Sequence, residues 1–259
     1  MRPLSSSLRA LALLGTLAFG SAVQAQTPAA VFTDTQKEAI GKVVRDYLLQ
    51  NPEILTEVMT ELEKRQADAQ RVARADALQE SRQALLNAPH SLVAGNPAGD
   101  VTLVEFFDYN CGYCKRALTD VRALVKADPK LRVVLKDFPV LGPDSVEASR
   151  VGLAVKNQLQ GDKLFDYHVK LLETRGRVNG ERALAVAKDM GLDIARLQKD
   201  MESAGVRAAL QENVSLADKL GLSGTPAFII GDEVIAGAVG VEPLKQVVAG
   251  IRQCGKASC

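Results

Sequence analysis

An excess of charge of either sign is missing from this chain. Its 32 lysines and arginines stand against 31 aspartates and glutamates, a formal net charge of +1. Nothing electrostatic therefore favours a nucleic acid or an anionic membrane surface as partner. Long apolar runs are absent too. Residues 11–19 fall well short of the roughly 18 residues a membrane span needs, and no later segment comes closer. Histidine is limited to His90 and His168, which lie alone with no ligand spacing, so neither is assigned a function. Four cysteines in 259 residues are too few for a small disulfide-stapled scaffold. They fall into two close pairs, 111/114 and 254/259, which suggests two separate jobs.

What the beginning holds is a leader pattern. Arg2 and Arg9 give a positive start, residues 11–19 are apolar, and Val23-Gln24-Ala25 offers a cleavage site. Residues 1–25 are read as a signal peptide, an uncleaved anchor being the alternative. Cleavage leaves 30 basic against 31 acidic residues, and export places the cysteines in an oxidising compartment.

Three textures follow. Residues 26–90 contain one glycine, Gly41, and read as helix with a break at Asn51-Pro52. Ile40, Val43, Val44, Tyr47 and Leu48 share one face, and Ile54, Leu55, Val58, Met59 and Leu62 continue it. From Glu63 to Arg82 the apolar residues thin, which predicts a solvated stalk or one strand of an intermolecular assembly. Next, Val101-Thr102-Leu103-Val104-Glu105-Phe106-Phe107 reads as a buried strand. A helix to about Ala127 and a strand over 131–135 complete a βαβ unit. Residues 144–220 return to helical spacing. Two short strands then flank Gly231-Asp232, and a last helix spans 243–252. The expected core is α/β: βαβ, a helical insertion, then ββα.

Cys111-Gly112-Tyr113-Cys114 opens the helix that follows the buried strand. That spacing puts both sulfurs on one helix face, close enough to close a small ring. Cys111 meets the unpaired N–H groups and positive dipole end of the helix, which favour its thiolate. A thiol of low pKa both attacks and leaves well. Cys114, one turn further in, is the resolving thiol. Half a zinc site is the rival reading, but zinc knuckles sit in turns rather than between a strand and a helix. A purely structural bridge is the other, and a ring this small constrains little.

These residues resemble a known family. Val104 through Lys115, with Lys136-Asp137-Phe138-Pro139, Gly142-Pro143-Asp144-Ser145 and Gly224-Thr225-Pro226-Ala227-Phe228, look like the DsbA branch of the thioredoxin superfamily. The likeness runs from about 91 to 252. The stretch from Ile40 through Asp46-Tyr47-Leu48-Leu49-Gln50-Asn51-Pro52-Glu53 is similar to the stalk of the ScsC (suppressor of copper sensitivity protein C) group. The resemblance implies a thioredoxin fold and makes Cys111/Cys114 the redox-active disulfide. It also implies a cis Thr225-Pro226 bond beside the cysteines, where the flanking backbone receives an extended substrate; a trans turn proline is the plain alternative. Gly112 and Tyr113 are counted with Thr225 and Pro226 as substrate-facing. Glu105, six residues before Cys111, matches a buried acid that accepts the Cys114 proton, the alternative being an ordinary strand acid. Lys136 matches a basic position near that acid. The uncharged Gly112-Tyr113 pair and Thr225 point to a less oxidising protein than the DsbA oxidase.

Cys254 and Cys259 lie outside the resemblance. Export favours a tail disulfide, with a soft-metal pair for Cu(I) as the alternative. Asn213-Val214-Ser215 fits a glycosylation sequon, a triplet common by chance. The expected organisation is a leader over 1–25, a stalk over 26–90, a catalytic domain over 91–253 and a tail over 254–259. The expected function is periplasmic disulfide exchange through Cys111/Cys114, leaning to isomerase or reductase and needing no cofactor or metal. The expected partners are cysteine-containing exported proteins and a membrane thiol–disulfide exchange partner. The stalk suggests a homo-oligomer, and the ScsC likeness a trimer. The rivals are a monomeric dithiol oxidase, a non-catalytic Cu(I)-binding copper-tolerance protein, and a holding chaperone.

Overall fold

The computed structural model describes residues 32–257 and 259; the expected leader over 1–25 lies outside them. The chain divides after Glu63 into two compact units.

The first unit holds α1 (Asp34–Gln50) and the opening turns of α2 (Glu53–Asn87). Thr33 and Gln36 form a reciprocal capping box that starts α1. Asn51 ends it, its backbone and side-chain N–H groups both donating to the Tyr47 carbonyl. Pro52 then needs no partner for an N–H it lacks. No residue of α1 is buried. Val43, Tyr47, Leu49, Leu55, Val58 and Met59 are each more than half exposed.

The second unit is a five-stranded sheet with helices on both faces. Its strands are β1 (Leu92–Gly95), β2 (Val101–Phe107), β3 (Leu131–Asp137), β4 (Ala227–Ile230) and β5 (Glu233–Ala236), in the order β1-β3-β2-β4-β5. β2 and β3 run parallel, joined through α3 (Gly112–Ala127), and the other pairings are antiparallel. α4 (Pro143–Val155), α5 (Asp162–Glu173), α6 (Gly180–Asp189), α7 (Ile194–Asp200) and α8 (Ala204–Lys219) form the insertion, and α9 (Val241–Cys254) closes the fold. This is the thioredoxin arrangement expected from the motifs.

Alternation along the strands sorts the core into two layers. Leu103, Phe107, Val133, Leu135 and Phe228 face α3, α9 and the insertion. Val104, Phe106, Val134 and Ile229 face Leu78 and Leu85 of α2, Leu216 of α8 and Leu220 just after it. The end of α2 therefore buries residues in its own chain, against the expectation of a solvated or purely intermolecular helix through Arg82. Leucines one or two turns apart among charges suffice where a sheet face needs covering.

Two further differences concern strands. β1 was not expected as a strand: four residues carry too short a pattern. It ends at Gly95, where φ is +70° and an added Cβ would meet the Leu131 carbonyl oxygen at 2.6 Å. β3 runs two residues beyond 135 because Lys136 and Asp137, charged in sequence, are both buried strand residues. His168 is a core histidine, edge-on to Phe107 at 4.6 Å and pushed down to about 3 by burial. Asn213 is 1% exposed, which withdraws the sequon.

Candidate active site

β2 delivers the chain to the site and α3 receives it. Cys111 is the N-cap of α3, with extended backbone and no side-chain cap, so its sulfur stands where a capping oxygen would. Both sulfurs of the pair are free and buried, Cys111 at 6% exposure and Cys114 at 0%. Donors converge on Cys111: first the Cys114 thiol, then the Thr225 side chain and the backbone N–H groups of Cys114 and Tyr113. Against partial burial they lower its pKa from 9.0 to about 5. The opposite holds for Cys114, which burial, the bond it gives to Cys111, and the Glu105 charge push far up. One thiol is an ionised nucleophile near neutrality; the other keeps its proton until a base takes it.

Thr225-Pro226 is cis. It brings the Thr225 carbonyl oxygen to 3.2 Å from Cys111 Sγ, to which the neutral thiol donates. Gly112 and Tyr113 lie on the surface beside this pair, with Arg116 stacked 4.3 Å from the Tyr113 ring centroid. A Cβ added at Gly112 would meet nothing within 4 Å.

Glu105 sits on the α3 face of β2, 2% exposed, with Oε1 unpartnered among the described residues. Burial, then the Cys111 charge, raises its pKa to about 8. Lys136 is not beside it. Glu105 pairs in register with Leu135, and the one-residue offset turns Lys136 to the opposite face. There Nζ donates to the Ala84 carbonyl at 2.7 Å and to Ser91 Oγ at 2.9 Å.

The tail cysteines form a Cys254–Cys259 disulfide. The structure does not bring it to the site. Arg252, two residues before Cys254, binds Asp100 and Asp128, at the start of β2 and the end of α3, while Cys111 lies past the other end of β2.

Asp108 and Asn110, to which the sequence pattern assigns no role, are engaged under Cys111. Asp108 is fully buried and accepts from Asn110 N at 2.7 Å, Ser145 Oγ at 2.8 Å and Leu141 N at 3.0 Å. A signal existed in the sequence: polar residues between an apolar strand and a CxxC motif must find partners inside the fold.

Residues 102–249, more than half of the chain, match the DSBA-like thioredoxin domain. The chain belongs to that family. Ahead of the DSBA-like domain, residues 36–69 match the copper resistance protein ScsC N-terminal domain. The thioredoxin-like oxidoreductase from Silicibacter pomeroyi DSS-3 is 42% identical, covering 67% of this chain and 98% of that one at a TM-score of 0.64. BcfH of Salmonella enterica Typhimurium, 29% identical, covers 83% and 95% at 0.70. ScsC of Proteus mirabilis in a compact conformation, 30% identical, covers 83% and 98% at 0.63. Among curated relatives, the chain spans about a quarter of the length of the first it matches, Na(+)/H(+) antiporters NhaA.

The DSBA-like site makes a direct pH prediction. Alkylation of Cys111 by iodoacetamide in the reduced protein should rise through a midpoint near pH 5 and be level by neutrality. A midpoint at the ordinary thiol range of about 8–9 would show that the donors around the sulfur do not hold its charge.

Proposed function

We propose that this protein is a periplasmic thiol–disulfide oxidoreductase acting on cysteine-containing exported proteins, as an oligomeric isomerase or reductase. The observation that carries the reading is Cys111 at the α3 N-terminus, held against the carbonyl of a cis Thr225-Pro226 bond with Cys114 behind it.

In the reductive direction the Cys111 thiolate attacks one sulfur of a substrate disulfide. The S–S electron pair leaves on the other substrate sulfur, which takes a proton, and a mixed disulfide forms. Its charge gone, Cys111 no longer raises Glu105, which ionises more readily just when Cys114 must lose its proton. The Cys114 thiolate then attacks Cys111 Sγ. The Cys111–Cys114 disulfide forms and the second substrate thiol is released; two electrons have passed to the substrate. In isomerisation a substrate thiol displaces Cys111 before Cys114 acts. The edge presented by Thr225-Pro226, with Tyr113 beside it, receives the extended substrate.

The thiolate and the N-terminal helices support the isomerase or reductase direction. A Cys111 pKa of about 5 lies between the values of about 3.5 and about 7 typical of DsbA and thioredoxin, which supports a couple less oxidising than the oxidase. The apolar side chains of 40–62, exposed in the single chain, support self-association, and the ScsC-like segment supports a trimer. Recharging by a membrane-bound exchange partner would restore the reduced form. The leader pattern and the tail disulfide support an oxidising compartment. Among the described residues no helix is long and apolar enough to cross a membrane.

Reactivation of scrambled ribonuclease, paired with sedimentation, tests the reading on the mature chain and on one lacking residues 26–63. The cut falls before Leu78 and Leu85, which the catalytic unit needs. The expected result is an oligomer that isomerises and a shortened monomer that reduces insulin but isomerises poorly. A monomeric mature chain, or equal isomerase activity in both, would overturn it.

A further inference from the structure

Beneath the reactive sulfur lies a polar clasp that the exchange chemistry leaves unused. The Asn110 amide nitrogen donates to Ser145 Oγ at 2.9 Å and to the Val178 carbonyl at 2.8 Å, while its oxygen accepts the Val178 N–H at 2.7 Å. Since the amide nitrogen can only donate, the Ser145 hydroxyl hydrogen is left for Asp108, which it meets at 2.8 Å. Asp108 also takes the N–H groups of Asn110 and Leu141. Every polar atom of the Asn110 side chain is thus engaged.

The clasp gathers four segments: the β2–α3 loop, the loop after β3 at Leu141, the first turn of α4 at Ser145, and the α5–α6 loop at Val178. Cys111 follows Asn110 directly, and its own N–H donates to the Asp108 carbonyl at 3.0 Å. Lys115 adds a second tie to the α5–α6 loop, donating to the Thr174 carbonyl at 2.6 Å. One amide therefore fastens the helical insertion to the backbone that carries the reactive sulfur.

We propose that Asn110, acting with Ser145 and Asp108, is the positioning residue that holds Cys111 at the α3 N-terminus and so sets how far its thiolate is favoured. The inference rests on Cys111 being the reactive thiol. Its physical basis is the steep dependence of hydrogen bonds on distance and angle: a loosened N-cap residue loses the N–H groups of Tyr113 and Cys114 together. The titratable groups electrostatically linked to Cys111 are Cys114 on α3 and Glu105 on β2. Their side chains stand outside the clasp, whose tie to them is the backbone bond from Asp108 to Cys114, so the clasp acts through geometry.

The test compares Asn110→Ala and Ser145→Ala with the unaltered mature protein. Thiolate absorbance at 240 nm is followed against pH, and the dithiol–disulfide ratio is measured in glutathione buffers. Asn110→Ala should raise the Cys111 midpoint by about one pH unit, roughly a tenfold loss of thiolate at pH values well below both midpoints. It should also shift the glutathione equilibrium towards the disulfide, and Ser145→Ala should move both readings the same way by less. A folded Asn110→Ala protein with an unchanged midpoint and equilibrium would overturn the proposal. If that variant does not fold, Ser145→Ala decides alone: shifted readings support the proposal and unchanged ones overturn it. An unaltered protein whose Cys111 titrates in the ordinary thiol range fails the underlying reading instead.

Discussion

Cys111→Ser should reduce insulin reduction and ribonuclease reactivation by about three orders of magnitude or more, since no second group can take the nucleophile's place. Cys114 is its nearest sulfur, yet it is fully buried and its thiolate is disfavoured by burial. Cys114→Ser should behave differently. Attack by Cys111 survives and resolution does not, so a mixed disulfide with substrate accumulates and is visible on a non-reducing gel or by mass spectrometry. A Cys111→Ser protein keeping a tenth of the activity would assign the chemistry elsewhere. So would a Cys114→Ser protein that traps nothing.

Glu105→Gln should separate stability from catalysis. In the reduced protein the carboxyl titrates near 8 in place of its ordinary 4.5, chiefly through burial. Between those values the unfolded chain gives up the proton while the folded one keeps it, so the folded state loses stability as pH rises from about 4 to about 8. Glutamine removes that loss. The variant should match the parent near pH 4 and exceed it by a few kcal/mol at pH 8 in urea unfolding. Asp137, raised to about 7 by burial, contributes in the same sense but is common to parent and variant, so it drops out of the comparison. Resolution by Cys114 should meanwhile slow by roughly 10²-fold, the usual size of a lost proton acceptor. Equal pH profiles for parent and variant would show that Glu105 does not titrate in this window.

Much of this was legible because the physics is local. A strand with an apolar side chain at nearly every position is buried on both faces, and residues 101–107 announce one. The CxxC spacing, read with that strand before it and a helix after it, fixes which cysteine is capped by the helix. Long-range pairings were less legible. The offset that sends Lys136 away from Glu105 depends on register between β2 and β3, and neither strand states it alone. Leu78 and Leu85 look sparse along α2; only the sheet face they cover makes them core. The partners of Asn110 lie 35 and 68 residues away, in segments whose own patterns mention no site. Thr225-Pro226 was found through family likeness, since no composition rule places it against a cysteine 114 residues earlier.

The continuity of α2 bears on how such a protein could have been assembled. Modules are commonly exchanged at loops, where a junction disturbs little packing. Here the obvious loop, after Asn87, is the wrong place: a graft there would deliver a catalytic module stripped of Leu78 and Leu85, with Phe106 and Val134 facing water. A viable exchange of N-terminal parts would have to be made inside the helix, near Glu63, keeping its last six turns with the sheet. Relatives that lack the N-terminal segment should therefore still carry this helical end, or another apolar cover for the same strands.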